Sequence, residues 1–119
     1  MIYTINEKPI SVNAMRKGRT FLTPLYKDFK SRAVLELISQ KPKKRNGKEL
    51  TVIITFFLKS LSKGDIDNFC KGLLDSCTEA GLWEDDRYIT CLVLKKVKAD
   101  RDYCGIEVIE QGKKTFVNR

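Results

Sequence analysis

Apolar and polar residues alternate along this chain with two different periods. LTVIITFFL, Leu50 to Leu58, is a nearly unbroken β-branched and aromatic run, the make-up of a central strand covered on both faces, or on one face with a subunit contact on the other. Beyond it Ile66, Phe69, Cys70, Leu73, Leu74, Cys77 and Ala80 recur every three or four residues, which places them on one face of a helix over 66–80. Asp65 is the natural N-cap of that helix and Gly81 its left-handed stop. An earlier helix starts at Thr23-Pro24, a capping hydroxyl followed by a proline whose missing amide costs nothing in the first turn. It carries Tyr26, Phe29, Ala33, Val34, Leu37 and Ile38 at helical spacing and ends near Gln40. Arg87 to Val97 and Cys104 to Ile109 read as strands paired in a hairpin across the charged Lys98–Asp102 turn, and Ile2 to Asn6 as a short first strand.

The segments between these elements are basic. Glu7 to Thr20 has no period and contains Lys8, Arg16, Lys17, Gly18 and Arg19, while KPKKRNGK, Lys41 to Lys48, combines Pro42, an Asn46-Gly47 turn and five bases. Each reads either as a contact to backbone phosphates or as a solvated loop. The order β-α-β-α-β-β implies an α+β sandwich, two helices packed on one face of a mixed four-stranded sheet. Residues 1–119 form one domain in this reading, with 113–119 a frayed basic tail.

Composition narrows the chemistry. With 119 residues, 42% hydrophobic and 32% charged, the chain has the content of a globular domain with a single core. No stretch approaches the roughly 20 apolar residues that span a bilayer, so a soluble cytoplasmic protein without membrane contact is expected. The absence of histidine removes the commonest general base and every Ser-His or Cys-His nucleophile. Cys70, Cys77, Cys91 and Cys104 fall in no CxxC spacing, which excludes the usual zinc sites and leaves buried, reduced thiols as the expectation. Hydrolysis must therefore lean on carboxylates, lysine or a metal.

The charges are unevenly placed. Between Asp65 and Asp86 seven acids meet one base, a local balance of −6, which leaves +14 for the rest of a chain whose net charge is +8. A basic surface favours a polyanion, with affinity driven largely by release of condensed counterions. An acidic island repels the same partner unless a cation bridges the two. Asp65 and Asp67 stand where a strand gives way to a helix, and Glu84, Asp85 and Asp86 where that helix gives way to a strand; a returning strand is expected to bring the clusters together. Converging aspartates suit Mg²⁺, which takes carboxylate, water and phosphate oxygens and can turn bound water into a nucleophile against a phosphodiester. Lys71 sits one helical turn from Asp67, able to orient water or neutralise transition-state charge, or to form an ordinary ion pair with Asp67. Taken singly, the same acids read as macrodipole partners and a solvated turn.

DIDNFCK, Asp65 to Lys71, followed by LWEDDRYI, Leu82 to Ile89, resembles the RusA family of Holliday junction resolvases. The family pattern is an Asp-x-Asp-Asn-x-x-Lys block, a helix closed by a glycine and an aromatic, then paired aspartates leading into a strand. Asp65, Asp67, Asn68, Lys71, Gly81, Trp83, Asp85 and Asp86 fill every position, and weaker similarity extends to Ser11-Val12-Asn13, Gly18-Arg19 and the final strands. The resemblance implies a homodimeric, Mg²⁺-dependent endonuclease, with Mn²⁺ able to substitute. Its expected substrate is four-way junction DNA, in recombination and repair or phage DNA processing, in a bacterium or a phage-infected host. By motif position it makes Asp65, Asp67, Lys71 and Asp86 catalytic and gives metal binding to Asp65, Asp67 and Asp86 with Asp85 in support. Asn13, Arg16, Lys17, Arg19, Lys63 and Asn68 are the expected DNA contacts. Glu84, inside the second motif, and the lack of a tyrosine between Asn13 and Gly18 depart from the pattern. Two symmetric cuts are most simply made by two identical sites, and the Ile53–Leu58 strand is the candidate for part of the dimer contact. Two other readings stay open: a non-catalytic DNA-binding protein whose acids only cap, and a metal nuclease acting on flaps or RNA.

Overall fold

A computed structural model describes residues 2–11, 16–17, 21–43, 49–62 and 64–110, with the backbone alone for 16, 17, 21 and 22. The basic tail and most of the Lys41–Lys48 loop therefore lie outside the described residues. In chain order the elements are β1 (Ile2–Ile5), β2 (Arg16–Lys17), β3 (Phe21–Leu22), α1 (Pro24–Ser39), β4 (Leu50–Leu58), a 3₁₀ turn (Ile66–Phe69), α2 (Cys70–Ala80), a second 3₁₀ turn (Asp86–Tyr88), β5 (Ile89–Lys98) and β6 (Tyr103–Glu110). The expected α+β arrangement is present, with a four-stranded mixed sheet in the order β1-β6-β4-β5. The short pairing of β2 with β3 lies within and just past the stretch expected to be a plain basic loop.

Helix α1 begins as its sequence dictates. Thr23 accepts a hydrogen bond from the Tyr26 amide at 3.2 Å, and Pro24 occupies the first turn. Its far end serves the sheet: Gln40 accepts from Thr4 N–H at 2.9 Å and donates to Thr4 C=O at 2.7 Å, and Glu36 accepts from Asn6 N–H at 2.6 Å. These side chains occupy backbone groups that the β1 edge would otherwise offer to another strand.

Side chains of β4 alternate, Leu50, Val52, Ile54, Phe56 and Leu58 being buried and the four between them half-buried. The helices thus cover one face of the strand rather than both. Residues with zero to a few per cent exposure from β4, β6, α1 and α2 form one core, each large side chain contributing about 1.5–3 kcal/mol by leaving water. On the other face Ile53 lies beside Val93, and Phe57 stacks on Tyr103 at 4.3 Å.

One pairing differs from expectation. β5 and β6 are not hairpin partners, because β4 lies between them, parallel to β5 and antiparallel to β6. Residues 99–102 cross the end of β4 instead, Ala99 N–H donating to Leu58 C=O at 2.8 Å and Lys59 N–H to Asp102 at 2.9 Å. Two inter-strand spacings amount to roughly 9.6 Å, well within reach of four residues, so connection length does not distinguish a hairpin from a hop over one strand. β4, α2 and β5 form a βαβ unit.

Candidate active site

The first acidic motif is presented by a turn held from beneath. After β4 the chain doubles back over Lys96, whose ammonium donates to Leu61 C=O at 2.7 Å and Gly64 C=O at 2.8 Å. Gly64 has φ +73, a left-handed conformation that costs glycine nothing. A Cβ at Gly64 would lie 2.6 Å from the Phe69 ring, which itself packs edge-on against Phe56 at 5.5 Å. Asp65 emerges extended from this turn, and its carbonyl accepts from Asn68 N–H at 3.0 Å. The expected N-cap is not made: the Asp65 carboxylate forms no capping hydrogen bond, and it stands exposed, as does Asp67.

The helix expected over 66–80 starts as the 3₁₀ turn and becomes α-helical at Cys70. This winding separates Asp67 from Lys71. At about 120° per residue in the turn and 100° in the helix they stand roughly 100° apart around the axis, against about 40° in a continuous α-helix. Lys71 pairs instead with Asp75, Nζ to Oδ1 at 3.2 Å. The other oxygen of Asp75 accepts from the hydroxyl of Tyr26, a buried residue of α1, at 3.0 Å.

The second motif is fixed by its aromatic. Gly81, at φ +88, ends α2 with its amide bonded to Thr78 C=O and that of Leu82 to Cys77 C=O, both at 3.1 Å, the Schellman pattern. Trp83 follows with zero exposure, its indole N–H donating to Thr78 Oγ1 at 2.8 Å. Anchored there, the chain turns through Asp85, whose carboxylate accepts from Arg87 N–H at 2.9 Å and so caps the second 3₁₀ turn. Asp86 and Glu84 are exposed.

The two motifs lie at opposite ends of the β4–β5 pair. Leu50 is in register with Ile89 and Leu58 with Lys98, so the turn after β4 and the turn before β5 are separated by most of a strand, roughly 26 Å. The expectation that the returning strand unites them fails because that strand is parallel. Among the described residues no three of His, Cys, Asp and Glu gather closely enough to hold a metal ion. The donors have the hard-oxygen chemistry that Mg²⁺ takes, but the described residues of one copy do not assemble a set of three.

Of the expected DNA contacts, Asn68 is half-buried in the 3₁₀ turn, and Arg16 and Lys17 form strand β2. Asn13, Arg19 and Lys63 lie outside the described residues. Sequence reasoning missed three residues that support the motifs. Lys96 had a signal, a lysine at an inward position of a strand, in register with Phe56. Asp75 stands four residues from Lys71, and only Tyr26, arriving from another helix, had no local mark.

A family model described as Endodeoxyribonuclease RusA matches residues 6–109. The chain is also similar to the Crossover junction endodeoxyribonuclease RusA of Aquifex aeolicus (strain VF5), 35% identical over 92 residues that cover 76% of this chain and 73% of that protein.

Proposed function

The chain belongs to the RusA family of endodeoxyribonucleases, and from that membership we propose that it resolves four-way DNA junctions by paired, symmetric nicks in a Mg²⁺-dependent reaction. The observation that carries the reading is the pair of exposed carboxylates, Asp65 free of the cap its position offers and Asp67 turned away from Lys71. Both are available to a cation in a way that a purely capping role does not require. Asp65, Asp67 and Asp86 hold the metal in this reading, with Asp85 in support through the oxygen that does not bond Arg87. An ion held there would supply an activated water and polarise the scissile phosphodiester. Lys71 places a positive charge within one helical turn of the first motif, where it offsets negative charge gathering on the phosphate. Arg16, Lys17, Arg19, Lys63, Asn13 and Asn68 supply contacts to the DNA backbone, and the net charge of +8 supports that partner.

The separation of the motifs gives dimerisation a chemical purpose. The described residues of one copy lack three converging carboxylates, and a second copy is the simplest source of the missing donors. The sheet face without helices is the proposed contact. Ile53 and Phe57 of the expected strand point that way, joined by Val93, Val97 and Ile109, whereas Ile54, Phe56 and Leu58 belong to the copy's own core. No helix among the described residues is long and apolar enough to cross a membrane.

The test uses a synthetic immobile junction with Mg²⁺, mapping nicks on all four strands for the native protein and for Asp67→Asn. Symmetric nicks in two opposed strands, absent from a variant that still binds, are the expected result. Tight, salt-sensitive binding without nicks in Mg²⁺ or Mn²⁺ would refute the nuclease and leave a binding protein. Preferential cutting of flaps or hairpin RNA would move the activity to another substrate.

A further inference from the structure

The exchange of partners at Lys71 has a structural cause beyond helix winding. In an α-helix a lysine four residues before an acid is the weaker order for an ion pair, and Lys71 is more than half exposed. Such a pair has little to hold it in one geometry. Here the acid is itself fixed: the Tyr26 hydroxyl, from a side chain 2% exposed and rooted in the core by α1, bonds Asp75 Oδ2 and leaves Oδ1 facing Lys71. The chain Tyr26–Asp75–Lys71 therefore runs from the interior of one helix, across the α1–α2 contact, to the ammonium of Lys71, four residues past Asp67 in the sequence.

We propose that Asp75 and Tyr26 are positioning residues for the reaction, holding the Lys71 ammonium on the Asp75 side of α2 so that the DNA meets a charge already in place. The proposal rests on the reading of Lys71 as the lysine that acts on the phosphate. An unrestrained lysine with four rotatable bonds samples many positions, most of them unhelpful to a developing charge. A carboxylate oriented by a buried phenol narrows that set before substrate arrives, and preorganised charge is what makes electrostatic stabilisation effective. The junction's affinity gains little from this, because many basic contacts share it.

The experiment is a double-mutant cycle on single-turnover junction cleavage, with junction binding measured in parallel and melting curves for each variant. Tyr26→Phe removes only the hydroxyl, keeping the buried ring, and Asp75→Asn keeps the shape of the acid while removing its charge. Each is expected to slow cleavage by about 10- to 100-fold while binding changes by less than about threefold. In a Lys71→Ala background the same substitutions should slow cleavage no further, because the group they position is gone. Slowing by the same factor with and without Lys71 would overturn the proposal, and so would native cleavage by both variants. Should Asp75→Asn melt below the assay temperature, Tyr26→Phe still decides. Lys71→Ala cleaving at the native rate would overturn the role of Lys71 and the proposal with it. A native protein that leaves junctions uncut would instead overturn the nuclease reading.

Discussion

Replacing Gly64 by alanine tests how the first acidic motif is held. Gly64 has φ +73, where an L side chain costs about 1–2 kcal/mol. The new Cβ would also lie 2.6 Å from Phe69 Cζ, so the ring must retreat by about 0.8 Å to reach ordinary contact. The ring lines cavities beside Lys8 and Pro9 that leave it some room, but its buried neighbour Phe56, edge-on at 5.5 Å, limits the retreat. Overpacking of this kind costs about 1–3 kcal/mol, which brings the expected loss to about 2–5 kcal/mol. Gly81 provides an internal control: its φ is +88, but nothing lies within 4 Å of an added Cβ, so Gly81→Ala should lose the conformational part alone, about 1–2 kcal/mol.

Urea titration and thermal melting, followed by far-ultraviolet circular dichroism, measure both losses. At about 4 °C per kcal/mol for a domain of this size, Gly64→Ala should melt about 8–20 °C below the native protein and Gly81→Ala about 4–8 °C below it. Shortening the ring should relieve part of the clash, so Phe69→Leu costs less in the Gly64→Ala background than alone. Equal losses at the two glycines, or strict additivity with Phe69→Leu, would refute the claim that the turn presenting Asp65 is packed against this ring.

Asp65→Asn and Asp67→Asn should each stay within about 0.5 kcal/mol of native stability, since Asp65 forms no capping bond and Asp67 no ion pair among the described residues, while junction cleavage falls by more than about 100-fold; melting curves beside the cleavage assay check both. Trp83→Phe should cost about 1–3 kcal/mol by urea titration, losing the indole bond to Thr78 and leaving a small cavity, although the Thr78 hydroxyl keeps its own bond to Leu74 C=O at 3.0 Å. Against the expectation of four buried thiols, Cys91 is exposed in a single copy, on the sheet face proposed for the dimer, so a thiol reagent at pH 8 should modify at most one thiol in the native protein and four in denaturant; two fast thiols would contradict the burial. Burial pushes the Cys70 thiol up to about 11 and Cys104 up to about 12, from an ordinary 9.0. The unfolded thiols lose protons first, so this stability is complete below pH 9 and is lost as pH rises toward 11–12, with a melting temperature that falls over that window less steeply in Cys104→Ala.

Where an element's signal is local, the sequence carries it. Thr23-Pro24 fixes the start of α1 because cap and proline act within one turn, and Leu50–Leu58 appears as a strand with its written boundaries because β-branched and aromatic side chains leave few alternatives. Gly81 and Trp83 are likewise readable, a left-handed stop and the residue that seals it. Sheet order is not local. Nothing in Lys98–Asp102 records that β4 lies between the strands it joins, since a four-residue link serves either arrangement. The 3₁₀ start of the helix also escapes an apolar count, because Ile66, Phe69 and Cys70 suit both windings. That small difference decides which acid Lys71 meets, and the tyrosine that orients the acid comes from 49 residues away.

The motif's halves cannot be read as one site from their spacing either. α2 has 11 residues, about 16 Å of rise, and with the turns at either end it spans the length of the strand beside it. A helix that connects two adjacent parallel strands must return the chain to the end where the first strand began. The turn after β4 and the turn before β5 are therefore held apart by the connection that makes them neighbours in sequence, and no change in the helix's side chains brings them together. Carboxylates arranged in this way serve one cation only if something outside the βαβ unit closes the distance. The apolar sheet face bearing Ile53, Phe57 and Val93 offers a surface where a second copy can do so, and this ties the proposed dimer to the proposed metal chemistry more tightly than the symmetry of the substrate alone.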